Sequence, residues 1–286
     1  MIETWKRSEL DKLIRKHGLR LSKSYGQNFL VDRNILEKII QAAEVTPEDY
    51  VIEIGPGAGA LTTLLAQAAG FVTAVEIDEK LMPALREATM GLQNIELINE
   101  DFLKYDAEKI KNKTKTDKFK LVGNLPYYIT SPLIAGLFEK RKDGTRPKPP
   151  ALAVFMIQKE VAERLVSPPG KKTYGAISVL VQYYSEAELL FNVSREVFVP
   201  KPNVDSAVIR LKPRDLSADD PAIASRMFRL VRAGFDMRRK TIRNSFARSG
   251  FSEEGLVKAF KNSGIDSGRR AETLSPRDFY EFASYL

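Results

Sequence analysis

Asn124, Leu125, Pro126 and Tyr127 stand together directly after residues 119–123, a run that reads as a short buried strand. An amide, a turn-forming proline and an aromatic ring therefore lie at the mouth of an expected sheet. The amide oxygen can accept hydrogen bonds from an –NH2 group. The ring can stack on a flat base, and proline sets the turn. This set suits holding a nucleobase while its exocyclic amine attacks an electrophile. An Asn-x-Pro turn after a strand also occurs simply as a turn, so the rest of the chain must supply the context.

A second group lies upstream. The expected strand 50–54 runs into Gly55-Pro56-Gly57-Ala58-Gly59, where glycines permit a tight turn and close approach of backbone to a ligand. The helix that follows offers free N–H groups. Glu76 ends the next expected strand, roughly 20 residues after the first glycine, the spacing of a ribose-binding carboxylate. Glu100-Asp101-Phe102 follows the third strand. A carboxylate there can accept from an adenine amine, and the phenyl ring can pack on a purine face; the same residues also suit a helix cap and a core aromatic. Gly55-x-Gly57-x-x-Ala60 fits a dinucleotide fingerprint too, and Tyr105 with Lys109 has the Tyr–Lys spacing of a short-chain dehydrogenase. No serine precedes Tyr105 at a suitable distance, and the pair comes too early in the chain for that chemistry.

Composition narrows the field. The 286 residues are 43% hydrophobic with a formal net charge of +8, which points to a real core and a polyanionic partner. There is no cysteine, so thiolate nucleophiles, disulfides and thiolate metal sites are excluded. The only histidine, His17, sits in a charged segment and reads as a solvated residue. A histidine-based triad or metal cluster is not expected. The first residues carry no apolar run resembling a signal peptide. Residues 54–75 are uncharged, but glycines and threonines interrupt them, so turn, helix and strand are expected there rather than a membrane span.

The elements that must position these residues alternate. Strands are expected at 50–54, 71–75, 95–98, from 121, and at 151–157, with helices at 32–43, 61–69, 80–90, 132–139 and 160–166. Two late strands follow at 186–193 and 204–211. The pattern predicts an α/β fold with a mostly parallel sheet covered by helices on both faces. From residue 217 onward it turns helical. The expected division is an N-terminal extension at 1–25 carrying a basic amphipathic helix, a catalytic domain at 26–214, and a helical domain at 215–286. Within the last, Arg226, Arg229, Arg232, Arg238, Arg239, Lys240, Arg243 and Arg248 cluster with Asp236 as the only acid between them, a pattern suited to phosphate contacts. Lys171, Lys172, Arg146 and Lys148 on neighbouring loops add to it.

Gly26-Gln27-Asn28-Phe29-Leu30, then Glu53-Ile54-Gly55-Pro56-Gly57-x-Gly59-x-Leu61-Thr62, then Asn124-Leu125-Pro126-Tyr127 appear in that order. Gln158-Lys159-Glu160, Phe198-x-Pro200-x-Pro202-x-Val204-x-Ser206 and Arg238-Arg239-Lys240-Thr241 follow. In this series the chain resembles the ribosomal RNA adenine dimethyltransferases of the small subunit, over nearly its whole length. The resemblance implies a Rossmann-like methyltransferase domain with a seven-stranded sheet and S-adenosylmethionine as cofactor. It implies that Asn28 and Leu30 close over the cofactor, that Gly55 and Gly57 approach its methionine and ribose, that Glu76 holds the ribose, that Ile77 lies on the adenine, and that Asp101 with Phe102 reads the adenine amine. Asn124 faces both cofactor and substrate; Asn124 and Leu125 accept from the target amine, while Tyr127 and Phe198 sandwich the base. Arg238, Arg239, Lys240 and Arg243 are expected on the RNA. The partner implied is the small ribosomal subunit and its RNA; a cytoplasmic monomer with neither metal nor membrane association is expected. The erythromycin-resistance methyltransferases of large-subunit RNA are the alternative within the fold; Leu125 and the full Phe-x-Pro-x-Pro segment lean away from them. An assembly factor acting mainly by binding the small subunit is the alternative outside catalysis.

Overall fold

The computed structural model describes residues 2–19, 27–105, 118–126, 130–138 and 148–286. Its elements begin with α1 (Arg7–Lys16), β1 (Phe29–Leu30), α2 (Arg33–Ala42), β2 (Tyr50–Ile54), α3 (Ala60–Ala68), β3 (Phe71–Glu76), α4 (Met82–Ala88) and β4 (Ile95–Asn99). There follow β5 (Lys120–Asn124), α5 (Thr130–Gly136), β6 (Leu152–Gln158), α6 (Lys159–Leu165), α7 (Ala176–Tyr184), β7 (Ser185–Val193), β8 (Phe198–Val199) and β9 (Ser206–Pro213). The chain ends with α8 (Pro221–Asp236), α9 (Ile242–Phe246), α10 (Glu253–Ser263) and α11 (Pro276–Ser284). Contacts divide it into two compact units, Met1–Ala162 with Glu188–Pro213, and Glu163–Ala187 with Arg214–Leu286.

The first unit is built on a seven-stranded sheet in the order β4-β3-β2-β5-β6-β9-β7. β2 pairs in parallel with β3 and β5, β5 in parallel with β6, and β9 antiparallel to β6. The strand order reverses between β2 and β5, and ligands of open α/β sheets bind beyond the carboxyl ends of the strands at such a switch point. Both sequence motifs of interest, the glycine turn and Asn124, lie at those two strand ends. Every residue of β2 is buried, as a central parallel strand requires. α2 starts where expected because the Asp32 side chain accepts from the Ile35 N–H at 3.2 Å.

The N-terminal segment, expected as an extension, packs into this unit. Leu10 and Leu13 of α1 are buried against Ala58 of the glycine turn and Ala84 and Ala88 of α4. His17 is not solvated: its Nε2 lies 2.8 Å from Glu87 Oε2, and Lys16 Nζ lies 2.7 Å from Glu87 Oε1. Hydrogen bonds from Lys16 and His17 hold the Glu87 carboxyl below its usual range.

The second unit is helical. α8 to α11 enclose an apolar cluster that includes Met227, Leu230, Phe246, Phe279 and Phe282, and Tyr174, Val179 and Tyr183 belong to the same cluster. Sequence patterning assigns no element to residues 176–184, where the structure has α7. The run Ile177, Val179, Leu180, Val181 suits a buried strand as well as a buried helix. What decides for helix is local: Ser178 Oγ accepts from the Gly175 N–H at 3.0 Å and donates to the Arg164 carbonyl at 2.6 Å. The segment 163–187 thus joins the helices, whereas a continuous 26–214 block was expected from sequence. Among the described residues, no helix is long and apolar enough to cross a membrane.

Candidate active site

Where β2 ends, the chain turns through Gly55, Gly57 and Gly59, all with positive φ. At Gly57 (φ +58) a Cβ would fall 2.9 Å from a ring carbon of Phe29, so both the backbone conformation and the packing require glycine. At Gly123 of β5 a Cβ would sit 2.7 Å from the Ile54 carbonyl oxygen. The absent side chain lets β5 and β2 converge beneath the turn. The result is a ligand-facing surface made of backbone.

Glu76, at the end of β3, is 5% exposed. Its Oε2 accepts from the Gly57 N–H at 3.0 Å and its Oε1 from the Asp78 N–H at 2.9 Å. Burial raises its pKa, and these N–H donors oppose the rise. The bonds also fix the carboxyl against the glycine turn. Ile77 is 44% exposed beside it. Asp101 caps the following turn, its Oδ1 accepting from the Leu103 N–H at 3.0 Å, and Phe102 stacks on Tyr105 with ring centroids 6.1 Å apart.

On the other side, Asn124 Nδ2 donates to the backbone carbonyl of Asn28 at 3.1 Å. The amide is thereby oriented, and its oxygen is the end left to accept from a ligand. Asn28 is itself held in place because the next residues form β1, which pairs antiparallel with β8 (Phe29 with Val199, Leu30 with Phe198). The Leu125 N–H donates to the Met156 carbonyl at 3.0 Å, and Thr130 Oγ1 to the Pro126 carbonyl at 3.1 Å. Both bonds fix the turn after β5. Asn28, Leu30, Gly55, Gly57, Glu76, Ile77, Asp101, Phe102, Asn124 and Leu125 all line one cleft. Its empty space, counted out into open solvent, is about 1160 Å³. Tyr127 lies outside the described residues. Phe198 does not line the cleft as expected. Its pairing with Leu30 turns it into the apolar core, where it is 3% exposed beside Leu36 and Val208, with no free face for stacking.

A family model described as ribosomal RNA adenine dimethylase matches residues 18–286. The chain belongs to this family. It is 47% identical over 282 residues to the ribosomal RNA small subunit methyltransferase A of Pelotomaculum thermopropionicum, covering 95% of this chain and 93% of that one. It is 42% identical to the protein of the same name from Clostridioides difficile, with 94% and 91% covered. Among solved structures, a dimethyladenosine transferase from Plasmodium falciparum superposes with a TM-score of 0.74 at 28% identity, over 89% of this chain and 95% of that one. The 23S rRNA methyltransferase ErmE superposes with 0.69 at 30% identity, over 91% and 99%. The fold is therefore the Rossmann-like methyltransferase fold, and the chain is an enzyme whose cofactor is S-adenosylmethionine. The cleft fits that molecule on its own evidence: a side-chain-free glycine turn, a fixed carboxyl at the β3 end, and a buried carboxyl oxygen without a partner.

That last group is Glu53, which sequence reasoning did not single out. It lines the cleft from β2, is 1% exposed, and its Oε2 has no hydrogen-bond partner. The available signal was a lone acid inside an otherwise apolar strand, a break in local consistency that marks functional positions. The basic residues of the helical unit also sort differently from their spacing. Arg238 is exposed but already engaged: a guanidinium nitrogen lies 2.9 Å from the carbonyls of both Lys172 and Tyr174 and 3.1 Å from Glu272. Arg226 donates to the Ala283 carbonyl at 3.1 Å, and Arg229 stacks 4.2 Å above the Phe251 ring. Arg239, Lys240 and Arg243 are exposed.

Proposed function

We propose that this chain methylates N6 of two adjacent adenosines near the 3′ end of small-subunit ribosomal RNA, twice per base, giving N6,N6-dimethyladenosine. The observation that carries the reading is Asn124, whose amide is fixed by the Asn28 carbonyl at 3.1 Å on the wall of the cofactor cleft. The relatives named for the small subunit, 40–47% identical, favour that subunit over the large one.

The cofactor supplies an electrophilic methyl group on a sulfonium. The backbone at Gly55 and Gly57 would face its methionine and ribose, Glu76 would accept from the ribose hydroxyls, and Ile77 would lie against the adenine. Asp101, with Phe102 beside it, would accept from the adenine amine, and Asn28 and Leu30 would bound the site from the N-terminal side. The target amine is a poor nucleophile because its lone pair is delocalised into the ring. The Asn124 oxygen and the Leu125 carbonyl would each accept one of its N–H groups. That pairing favours a pyramidal nitrogen and stabilises the positive charge growing on it. In-line placement supplies most of the remaining acceleration, and the proton departs after transfer. Tyr127 would stack on the extruded base. Arg239, Lys240 and Arg243 would contact RNA phosphates, with Arg238 holding the loop beside them.

Labelled S-adenosylmethionine is to be incubated with undermethylated small and large subunits separately. Label enters the small subunit only; entry into the large subunit alone, or into neither, overturns the reading. Asn124→Ala should abolish transfer while subunit binding persists, and surviving turnover would show that Asn124 does not hold the target amine.

A further inference from the structure

Thr4 lines the cleft, although it precedes the residues matched by the family model. It is 1% exposed, and its Oγ1 has no hydrogen-bond partner. A hydroxyl buried in that condition costs free energy. The segment that carries it is firmly seated. Trp5 is buried in an apolar cluster with Leu30, Leu36 and Ile39, and the Arg33 guanidinium lies 5.7 Å from the centre of its ring. Further along, α1 packs on the glycine turn and α4, and Lys16 and His17 are bonded to Glu87. An unsatisfied hydroxyl held on a braced wall calls for an explanation outside the fold itself, and a ligand group supplies one.

The chemistry of the wall says which group. Every charged residue described along the cleft is an acid, so an anionic group that enters must rely on neutral donors. Several of those are already taken. Gln27 Nε2 donates to Asp78 Oδ2 at 2.6 Å and Asn124 Nδ2 to the Asn28 carbonyl. The N–H groups of Gly55, Gly57 and Gly59 donate to the Val75 carbonyl, Glu76 and the Pro56 carbonyl. The cofactor carries one anionic group, the carboxylate of its amino-acid end. Ile77 and Asp101, proposed to meet the adenine, follow β3 and β4, whereas Trp5 shares its cluster with Val122 of β5 and Met156 of β6, across β2 from them. The amino-acid end therefore falls on the side of Thr4. We propose that the Thr4 hydroxyl donates a hydrogen bond to the α-carboxylate of the cofactor. This rests on the placement of the cofactor in the cleft proposed above. The ammonium of the same end cannot take the carboxylate's place, since it has no lone pair to receive the hydroxyl proton.

Titration calorimetry on Thr4→Val, which keeps the shape of the side chain and deletes the hydroxyl, tests this with three ligands. S-adenosylmethionine carries the carboxylate, decarboxylated S-adenosylmethionine keeps the amine without it, and methylthioadenosine lacks the whole amino-acid end. The variant should bind S-adenosylmethionine roughly 10- to 100-fold more weakly than the wild type, the range for a hydrogen bond to a charged group. Its affinity for the other two should be unchanged, which also shows that the variant is folded. Thr4→Ser, which restores the hydroxyl, should recover S-adenosylmethionine binding. A second readout separates a ligand contact from a structural one. Without ligand, Thr4→Val should be at least as resistant to denaturant as the wild type, because the deleted hydroxyl has no partner to lose. Unchanged S-adenosylmethionine affinity, equal weakening of the decarboxylated ligand, or a lower stability of the unliganded variant overturns the proposal for Thr4 alone. Failure of all three molecules to bind the wild type removes the cofactor placement and this inference with it.

Discussion

Glu53 and Glu76 are the same residue type at neighbouring strand ends of one sheet, both buried and both raised in pKa by that burial. They differ in what surrounds them. Glu76 has a backbone N–H on each oxygen, from Gly57 and Asp78. Glu53 has an oxygen with nothing on it. The first is a finished acceptor before any ligand arrives, ready for hydroxyl groups. The second is a group whose charge waits for its partner. Burial alone therefore does not define what a carboxyl does in a cleft; the donors provided by the fold separate a preorganised site from a responsive one.

The largest effect expected from breaking this comparison is at Glu76. Glu76→Ala removes the proposed ribose acceptor and leaves the Gly57 and Asp78 N–H groups without their partner. Two hydrogen bonds to a charged group, each worth about 1.5–3 kcal/mol, predict at least a 100-fold loss of cofactor affinity by equilibrium binding. A loss below about tenfold would place the ribose elsewhere. An intermediate effect is expected at Glu53 in the empty protein. Its folded pKa of about 8 exceeds the ordinary 4.5, so the folded chain holds the proton more tightly. The stability this gives is complete below about pH 4.5 and is lost as pH rises through about 8. Relative to Glu53→Gln, the unliganded wild type should lose a few kcal/mol across that window in denaturant titrations. A constant difference between the two proteins would remove the raised pKa. The smallest effect is expected from Thr62→Val. Losing the hydroxyl that favours the charged form should move the Glu53 midpoint upward, with overall stability changing by less than about 1 kcal/mol. A downward midpoint shift in the pH–stability curve would contradict the assigned influence of Thr62.

Much of the cleft was legible in the chain because its parts are backbone requirements or strand ends. Glycine at positive φ, an acid closing the second strand and an Asn-x-Pro turn closing β5 are local statements, and local statements survive folding. Glu53 was harder to see, since a central parallel strand reads as apolar and one acid within it passes as exposed. Phe198 was misplaced because its fate depends on β1 pairing with β8, a contact between residues far apart in sequence. Arg238 illustrates the same limit for charge. A run of arginines predicts a basic surface, but whether one of them is already bonded within the protein depends on carbonyls delivered by residues 172 and 174. α7 went unassigned because its apolar run has no period that separates helix from strand, and a serine hydroxyl bonded to two backbone groups decided the matter.

The bond from Asn124 Nδ2 to the Asn28 carbonyl has a consequence for repeated turnover. With its nitrogen end committed, the amide cannot flip to greet a changed substrate. If the target amine is held as proposed, the site meets two N–H groups at first, one after the first methyl arrives, and none after the second. Each missing proton leaves an acceptor without a partner, at a cost of about 1–3 kcal/mol. Adenosine, its monomethyl form and its dimethyl form should therefore bind in descending order, and the enzyme would know it has finished because nothing remains for it to hold.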